Sequence, residues 1–199
     1  MRLPLLPPET LQGDQRALYD DMRAGIEKNF KGFRNIDGNG ALIGPWNPWL
    51  TFPQFGAAVW NYTKAMANDP KLPKNIREVA ILVTGTHFNS GYELYAHILV
   101  AEMRGLADET IATIVAGQRP ATLTPNEGLA YDFTSALISG RIVPQILYDQ
   151  ARKAFGRDGV AELIYLVGLY CSVSIILNGF DVPVPAEEPA EEEKVAIPA

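Results

Sequence analysis

Both histidines of the chain fall within residues 78–97, together with two glutamates that could serve them. Glu93 and His97 are four residues apart, so on a helix their side chains are neighbours on one face. A carboxylate beside an imidazole raises the imidazole pKa and fixes its tautomer, which suits proton transfer near neutral pH. Glu78 belongs to the preceding helix, which must turn back near Asn89. An antiparallel hairpin could therefore place Glu78 opposite His97, with two carboxylates and one imidazole in one crevice.

Other interpretations of the same residues stay open. A Glu/His pair four residues apart also occurs on solvated helices, where it contributes only a few tenths of a kcal/mol. His87, Glu93 and His97 have the ligand types of a two-histidine, one-carboxylate metal site. His87 falls near the predicted helix break, however, and by itself is typical of a structural residue, so a metal ion is the weaker interpretation.

The composition describes one globular domain. The chain has 199 residues, 47% of them hydrophobic and 20% charged, which is enough to bury a substantial core. Seventeen Lys and Arg stand against 23 Asp and Glu without a basic block, so the charge pattern indicates no nucleic-acid partner. The single cysteine, Cys171, excludes an internal disulfide, a Cys-x-x-Cys pair and a thiolate-rich metal site.

Two segments bear on domain boundaries and membrane association. Residues 163–177 carry no charge but are shorter than the roughly 20 residues of a spanning helix, so we predict a buried core helix. The N-terminus lacks the apolar stretch of a secretory signal, and we expect a cytoplasmic protein without membrane contact. From Val182 onward five glutamates accompany one lysine, interrupted by prolines. We therefore predict a helical domain at 1–181 and a solvated, disordered acidic tail at 182–199.

Apolar residues recur every three to four positions through nearly the whole body, which predicts an all-α fold. A loop rich in Gly, Asn and Pro is expected at 30–50, with Trp46 and Trp49 in it. Thr124 to Glu127 has the capping-box pattern that starts a helix, and Thr51 with Gln54 resembles another. Further helices are predicted over about 8–28, 53–67, 73–86, 90–104, 143–155 and 158–177.

The segment that contains these glutamates and histidines also resembles a known family. Residues 72–106, LPKNIREVAILVTGTHFNSGYELYAHILVAEMRGL, resemble the core of carboxymuconolactone decarboxylases and of their relatives, the alkylhydroperoxidases. The shared order is Arg-Glu in the first helix (Arg77, Glu78) and Glu-x-x-x-His in the second (Glu93, His97), then Ala and Gly-Leu further on. The resemblance extends over roughly residues 44–183. It implies an alkylhydroperoxidase-like bundle of about seven to eight helices, no cofactor, and homo-oligomers built from trimers.

One difference separates the chain from the peroxidase branch. That branch carries Cys-x-x-Cys before the histidine, and the corresponding positions here are Ser90 and Glu93. Without the thiol pair, dithiol peroxide chemistry cannot run. The decarboxylase branch has Glu-Leu-x-x-His, which this chain shares from Glu93 to His97. The resemblance therefore favours the decarboxylases.

The family's decarboxylases act on carboxylated unsaturated lactones from aromatic-compound catabolism. Loss of CO₂ leaves a dienolate that must be protonated, so the site needs an acid and a group that stabilises negative charge. By resemblance we expect His97 to donate or accept the proton, Glu78 to orient it, and Glu93 to be a second acid or base. Ser90, Tyr92, Tyr95, Trp46 and His87 are the predicted substrate-binding residues, with Ser90 or Tyr92 as hydrogen-bond donor and Trp46 and Tyr95 flanking the pocket.

The sequence thus predicts a lyase or isomerase that acts on a small carboxylated lactone or cyclic acid. A hydrolytic or metal-assisted reaction on the same scaffold is an alternative, and a non-catalytic oligomeric binding protein is another. The candidates for anchoring a substrate carboxylate are Arg34, Arg77 and Arg104, because guanidinium groups bind carboxylates bidentately.

Overall fold

The computed structural model describes residues 1–186, which form eight α-helices and no β-strand. The helices are α1 (Gly13–Asn29), α2 (Trp46–Thr51), α3 (Pro53–Asn68), α4 (Lys74–His87), α5 (Gly91–Met103), α6 (Asp108–Val115), α7 (Pro125–Ile138) and α8 (Gln145–Gly179). The prediction of an all-α bundle of seven to eight helices is confirmed. Most of the predicted acidic tail, residues 187–199, lies outside the described residues.

Helix α4 is the centre of the larger of two hydrophobic cores. It packs against α5, α6, α7 and α8. Its apolar side chains are buried all around the helix, which is typical of a helix in the protein interior: Ile76, Val79, Ala80, Ile81, Leu82 and Val83. The same helix also buries the carboxylate of Glu78, whose side chain is only 9% exposed. A buried charge is costly unless it is paired, so Glu78 requires a partner.

The second core is aromatic and is built by α1, α2 and α3 against α5 and the end of α8. Trp46, Trp49 and Trp60 are its largest members, and all three are nearly fully buried. Helix α8 joins the two cores, since Leu163 and Leu166 pack in the first while Leu169 and Val173 pack in the second.

Helix α8 is broken at Gly156, whose φ of 70° and ψ of −178° are accessible to glycine but not to other residues without strain. The break agrees with the two helices predicted at 143–155 and 158–177. Within residues 1–186, α8 is the one helix long and apolar enough to cross a membrane, judged by length and composition alone. Of its most apolar window, 44% is buried inside the protein.

The prediction of a loop over residues 30–50 was wrong at its end, where Trp46–Thr51 form α2. Six residues are too few for a helical periodicity to be visible, and burial of Trp46, Trp49 and Leu50 stabilises the turn instead. The capping box predicted at Thr51 was also wrong. Its hydroxyl donates to the carbonyl of Asn47 at 2.8 Å, and α3 has no side-chain cap.

The capping box at Thr124 is confirmed. Its hydroxyl oxygen accepts from the Glu127 backbone N–H, and the Glu127 carboxylate accepts from the Thr124 N–H. These two bonds satisfy backbone donors that the first turn of α7 would otherwise leave unpaired.

The close approach of α3 to α2 gives a test of the aromatic core. A Cβ added at Gly56 would overlap the backbone of Trp49, which cannot rotate away. We expect Gly56→Ala to lower the free energy of unfolding by about 1–3 kcal/mol, measured by urea denaturation. Gly168→Ala is the control, because the nearest atom to its Cβ is the Tyr62 hydroxyl at 3.9 Å. Equal stability of the two variants would contradict the packing described.

Candidate active site

The turn between α4 and α5 brings the predicted residues together. Helix α4 ends at His87, and Asn89 then takes a left-handed conformation with φ of 47°, which asparagine tolerates better than most residues. The N–H of Ser90 donates to the carbonyl of Gly85 at 3.0 Å and closes the helix end. Helix α5 therefore folds back along α4, as the predicted hairpin requires.

Three side chains meet across this hairpin in one hydrogen-bonded and ion-paired group, which we call the Glu–His–Glu triad (Glu78, His97, Glu93). The Nδ1 atom of His97 lies 2.8 Å from Oε2 of Glu78, and its Nε2 atom lies 3.1 Å from Oε1 of Glu93. The side chains are 13% exposed for His97, 9% for Glu78 and 5% for Glu93. The structure thus brings all three predicted catalytic residues together, and their catalytic role stays a prediction.

The two carboxylates determine the protonation state of the imidazole. Burial lowers the pKa of His97, but the charge and hydrogen bond of Glu78, followed by those of Glu93, outweigh burial and raise that pKa to about 10. At neutral pH His97 is therefore an imidazolium that donates from both ring nitrogens. With two carboxylates and one imidazolium, the triad carries a net charge of −1.

A small cavity opens beside the triad. Its volume is about 40 Å³, room for about three or four water molecules at about 10–15 Å³ each. Glu93 and His97 lie in its wall, whereas Glu78 is not among the lining residues and contacts His97 from behind. The rest of the wall is mostly aromatic or aliphatic: Phe30, Phe33, Pro45, Trp46, Trp49, Thr63, Tyr92, Ala96, Leu169, Tyr170 and Val173.

Two of the predicted binding residues lie in this wall. The ring of Trp46 stacks on Phe33, with centroids 6.1 Å apart and planes inclined by 15°. Tyr92 is buried, and its hydroxyl donates to the carbonyl of Arg34 at 2.7 Å, which holds the loop before α2 against α5. Burial raises the pKa of the Tyr92 phenol, so the hydroxyl keeps its proton. Because that proton is already donated to the backbone, Tyr92 shapes the wall.

The other three predicted binding residues lie elsewhere. Ser90 is fully buried at the start of α5, outside the cavity wall, and its hydroxyl has no hydrogen-bond partner within residues 1–186. The hydroxyl of Tyr95 accepts from the backbone N–H of Arg34 at 3.1 Å. His87 packs against Phe88 and lines a separate cavity with Thr86 and Tyr131.

Tyr170 is the neighbour of the triad that the sequence prediction missed. Its ring stands edge-on to the His97 ring, with centroids 5.1 Å apart and an interplanar angle of 89°. Burial, with the charges of Glu93 and Glu78, raises the Tyr170 pKa well above its ordinary value, so the phenol stays protonated. The pattern that could have revealed it is a hydroxyl-bearing ring inside the otherwise mainly aliphatic stretch 163–177.

The alternative metal site of His87, Glu93 and His97 does not form within residues 1–186. His87 lines a different cavity from His97, and both ring nitrogens of His97 are bonded to carboxylates. No cluster of His, Cys, Asp and Glu suited to a metal ion occurs within residues 1–186. The described residues therefore support no metal in the triad.

The arginines proposed as carboxylate anchors are not among the cavity-lining residues. Arg77 pairs with Glu162 and also donates to the carbonyl of Met66 at 3.1 Å. Arg34 lines another cavity, and Arg104 is exposed at the end of α5. Among the described residues, no lysine or arginine lies in the wall beside the triad.

Comparison with known proteins places the chain by its fold. It matches no protein-family model and no curated protein at a significant level. A crystal structure of an alkylhydroperoxidase AhpD core, an uncharacterized peroxidase-related protein from Ralstonia eutropha JMP134, is 16% identical, with 92% of each chain covered and a TM-score of 0.73. A variant of the debrominase Bmp8 in complex with 2,3,4-tribromopyrrole is 15% identical over 92% of this chain and 93% of that one, with a TM-score of 0.68.

A third solved structure agrees with these two. ATU0492 from Agrobacterium tumefaciens, a protein of unknown function, is 15% identical, covers 71% of this chain and 97% of its own, and has a TM-score of 0.63. The predicted alkylhydroperoxidase-like fold is therefore confirmed. Similarity at this level of identity shows the fold and leaves the reaction to be argued from the site.

The triad predicts an unusual titration. We expect the imidazole of His97 to stay protonated through neutral pH and to lose its proton near pH 10. The folded pKa lies above the ordinary 6.5, so the stability contributed by this proton is complete below pH 6.5 and is lost as the pH rises through about 10. The ring ¹⁵N chemical shifts of His97 measure its titration, and His87→Asn removes the other imidazole from the spectrum.

Two variants identify the cause of this titration. Glu78→Gln should lower the His97 pKa, because it removes the strongest stabilisation of the imidazolium. Glu102→Gln removes an exposed carboxylate from the same helix and should leave the titration unchanged. A wild-type His97 that titrates near 6.5 would contradict the geometry of the triad.

Proposed function

We propose that the protein is a cofactor-independent acid–base enzyme of the lyase or isomerase class, which moves a proton on a small unsaturated ring compound. One observation carries the proposal. The Glu93 carboxylate lies in the wall of an apolar cavity and is held there by an imidazolium, which Glu78 holds from behind. A positioned carboxylate in a water-poor cavity is a suitable base for a proton next to a carbonyl group.

In this mechanism Glu93 is the base. An imidazolium that donates both N–H groups has no lone pair to accept a proton, so the accepting role expected of His97 passes to its neighbour. The carboxylate takes a proton from the substrate carbon and returns it to another carbon of the same conjugated system. His97 keeps Glu93 in position and supplies the positive charge that the anionic intermediate requires.

Tyr170 is suited to stabilise that intermediate. Its protonated phenol stands beside His97 in the cavity wall and can donate a hydrogen bond to a developing enolate oxygen. Donors aimed at the charge that develops during a reaction contribute more than those that bind the ground state equally well. Tyr170 replaces Ser90 and Tyr92 as the proposed donor, because Ser90 lies outside the cavity wall and the Tyr92 proton is bonded to the backbone.

Decarboxylation of a carboxylated lactone, which the sequence resemblance implies, is one reaction of this class. An apolar wall favours loss of CO₂ because it removes water from the carboxylate. The absence of lysine and arginine from the wall favours instead a proton transfer that needs no substrate carboxylate. The two versions share Glu93 as the group that handles the proton, and they differ in whether CO₂ leaves.

The central test measures both versions. Wild-type protein is incubated in D₂O with 2(5H)-furanone, and deuterium incorporation is followed by NMR; CO₂ release is followed in parallel with 4-carboxymuconolactone. We expect deuterium incorporation, lowered about 10²–10⁴-fold in Glu93→Gln, because the amide cannot accept the proton. Tyr170→Phe should lower the rate of deuterium incorporation by about 10–10²-fold, because the intermediate loses one hydrogen bond.

Glu102→Gln is the matched control, since it removes one exposed carboxylate of α5 and should keep wild-type turnover. CO₂ release that depends on Glu93 would favour the decarboxylase version. Turnover that is unchanged in Glu93→Gln would show that the proposed base is wrong.

The cysteine provides a separate prediction. Cys171 is partly buried in α8, and burial raises the pKa of its thiol, which disfavours the reactive thiolate. We expect Cys171→Ser to leave all activity unchanged and the wild type to show no catalytic reduction of cumene hydroperoxide with dithiothreitol. A hydroperoxide reductase activity that disappears in Cys171→Ser would overturn the prediction that this thiol is unreactive.

A further inference from the structure

We propose that the cavity beside Glu93 selects ring compounds without net charge and discriminates against carboxylates of the same shape. The inference rests on the proposed function for the location of the site, and it goes further by naming the charge class of the ligand. Because the preference is one of binding, it can be measured without turnover.

The triad already carries charge. Glu78 and Glu93 outnumber the imidazolium of His97, so the triad is an anion before any ligand arrives. All three side chains are largely buried, where water and salt screen charges weakly. A ligand carboxylate in the cavity would lie beside Glu93, and two carboxylates in contact repel.

Within residues 1–186 the wall holds no cation besides His97, and both ring nitrogens of His97 already face carboxylates. Apart from Glu93 and His97, the side chains that the structure describes in the wall are uncharged. Arg77 is bonded to Glu162, and Arg34 lines another cavity. An anion that entered would lose its hydration without gaining an ion pair, which is costly in a buried site.

The aromatic rings and indole groups of the wall are suited to an uncharged ring compound. Trp46 stacks with Phe33 and meets Phe30 edge-on at 5.6 Å, an environment that accepts flat, unsaturated rings. The indole N–H groups of Trp46 and Trp49 are buried without a hydrogen-bond partner in residues 1–186. Such neutral donors suit the oxygen of a lactone, cyclic ketone or amide. Since the cavity has a volume of only about 40 Å³, side chains of the wall must shift when a ring enters.

An isosteric pair of ligands separates the effect of ligand charge on binding from the effect of ligand shape. The primary amide and the carboxylate of 2(5H)-furanone-5-acetic acid differ by a single NH₂-for-O⁻ exchange. Dissociation constants at neutral pH are measured by tryptophan fluorescence and by ligand-observed NMR. We expect the amide to bind at least about tenfold more tightly than the carboxylate, because one like-charge contact is removed.

The variants test the origin of the preference. Glu93→Gln removes the net charge of −1 from the triad, so the carboxylate should gain affinity. The ratio of the two dissociation constants should then shrink several-fold. Glu102→Gln removes a carboxylate of the same helix outside the site and should leave the ratio unchanged. A ratio that shifts equally in both variants would mean that overall charge, and not the site, sets it.

The outcomes separate this inference from the proposed function. Wild-type protein that binds the carboxylate as tightly as the amide overturns the inference, and so does failure of the amide to bind at all. If the amide binds with the expected preference but no deuterium enters 2(5H)-furanone, the inference stands and the proposed reaction fails.

Discussion

The buried ion pair between Glu78 and His97 is the interaction on which the rest of the site depends. Glu78 is the one carboxylate inside the central helix α4, where an unpaired charge would be prohibitively costly. Its partner comes from the neighbouring helix, so the pair sets how α5 lies along α4. The turn at Asn89 makes that alignment possible, and Glu93 follows because it stands one helical turn before His97. One constraint thus places three functional groups.

Much of this site can be read from the sequence, because its central parts are local. The spacing of Glu93 and His97 indicates a shared helix face, and a short turn indicates a hairpin that brings back Glu78. His87 shows the limit of proximity in sequence. It lies nine residues after Glu78 on α4, about two and a half turns, and therefore on the opposite side of the helix.

The parts that sequence analysis missed come from distant segments. Tyr170 lies 73 positions after His97, and only the packing of α8 across both cores brings it beside the imidazole. Phe30 and Phe33 reach the cavity from the end of α1 and the loop after it, where no periodicity marks them. The prediction for Ser90 fails for a local reason, since the residue just before α5 is buried against the end of α4. Side chains that depend on tertiary contacts leave no pattern in a single sequence.

The charge of the triad links the fold to the chemistry. In the proposed reaction the triad starts with one negative charge in excess, which resides on its carboxylates. When Glu93 accepts a proton from a neutral substrate, that charge moves to the substrate oxygen, still beside the His97 imidazolium, so the total does not change. A carboxylate substrate would instead raise the total to −2 throughout the reaction. A thiol pair at positions 90 and 93 would have made the same scaffold suitable for redox chemistry. With a glutamate at position 93, the site we propose keeps one negative charge and transfers a proton.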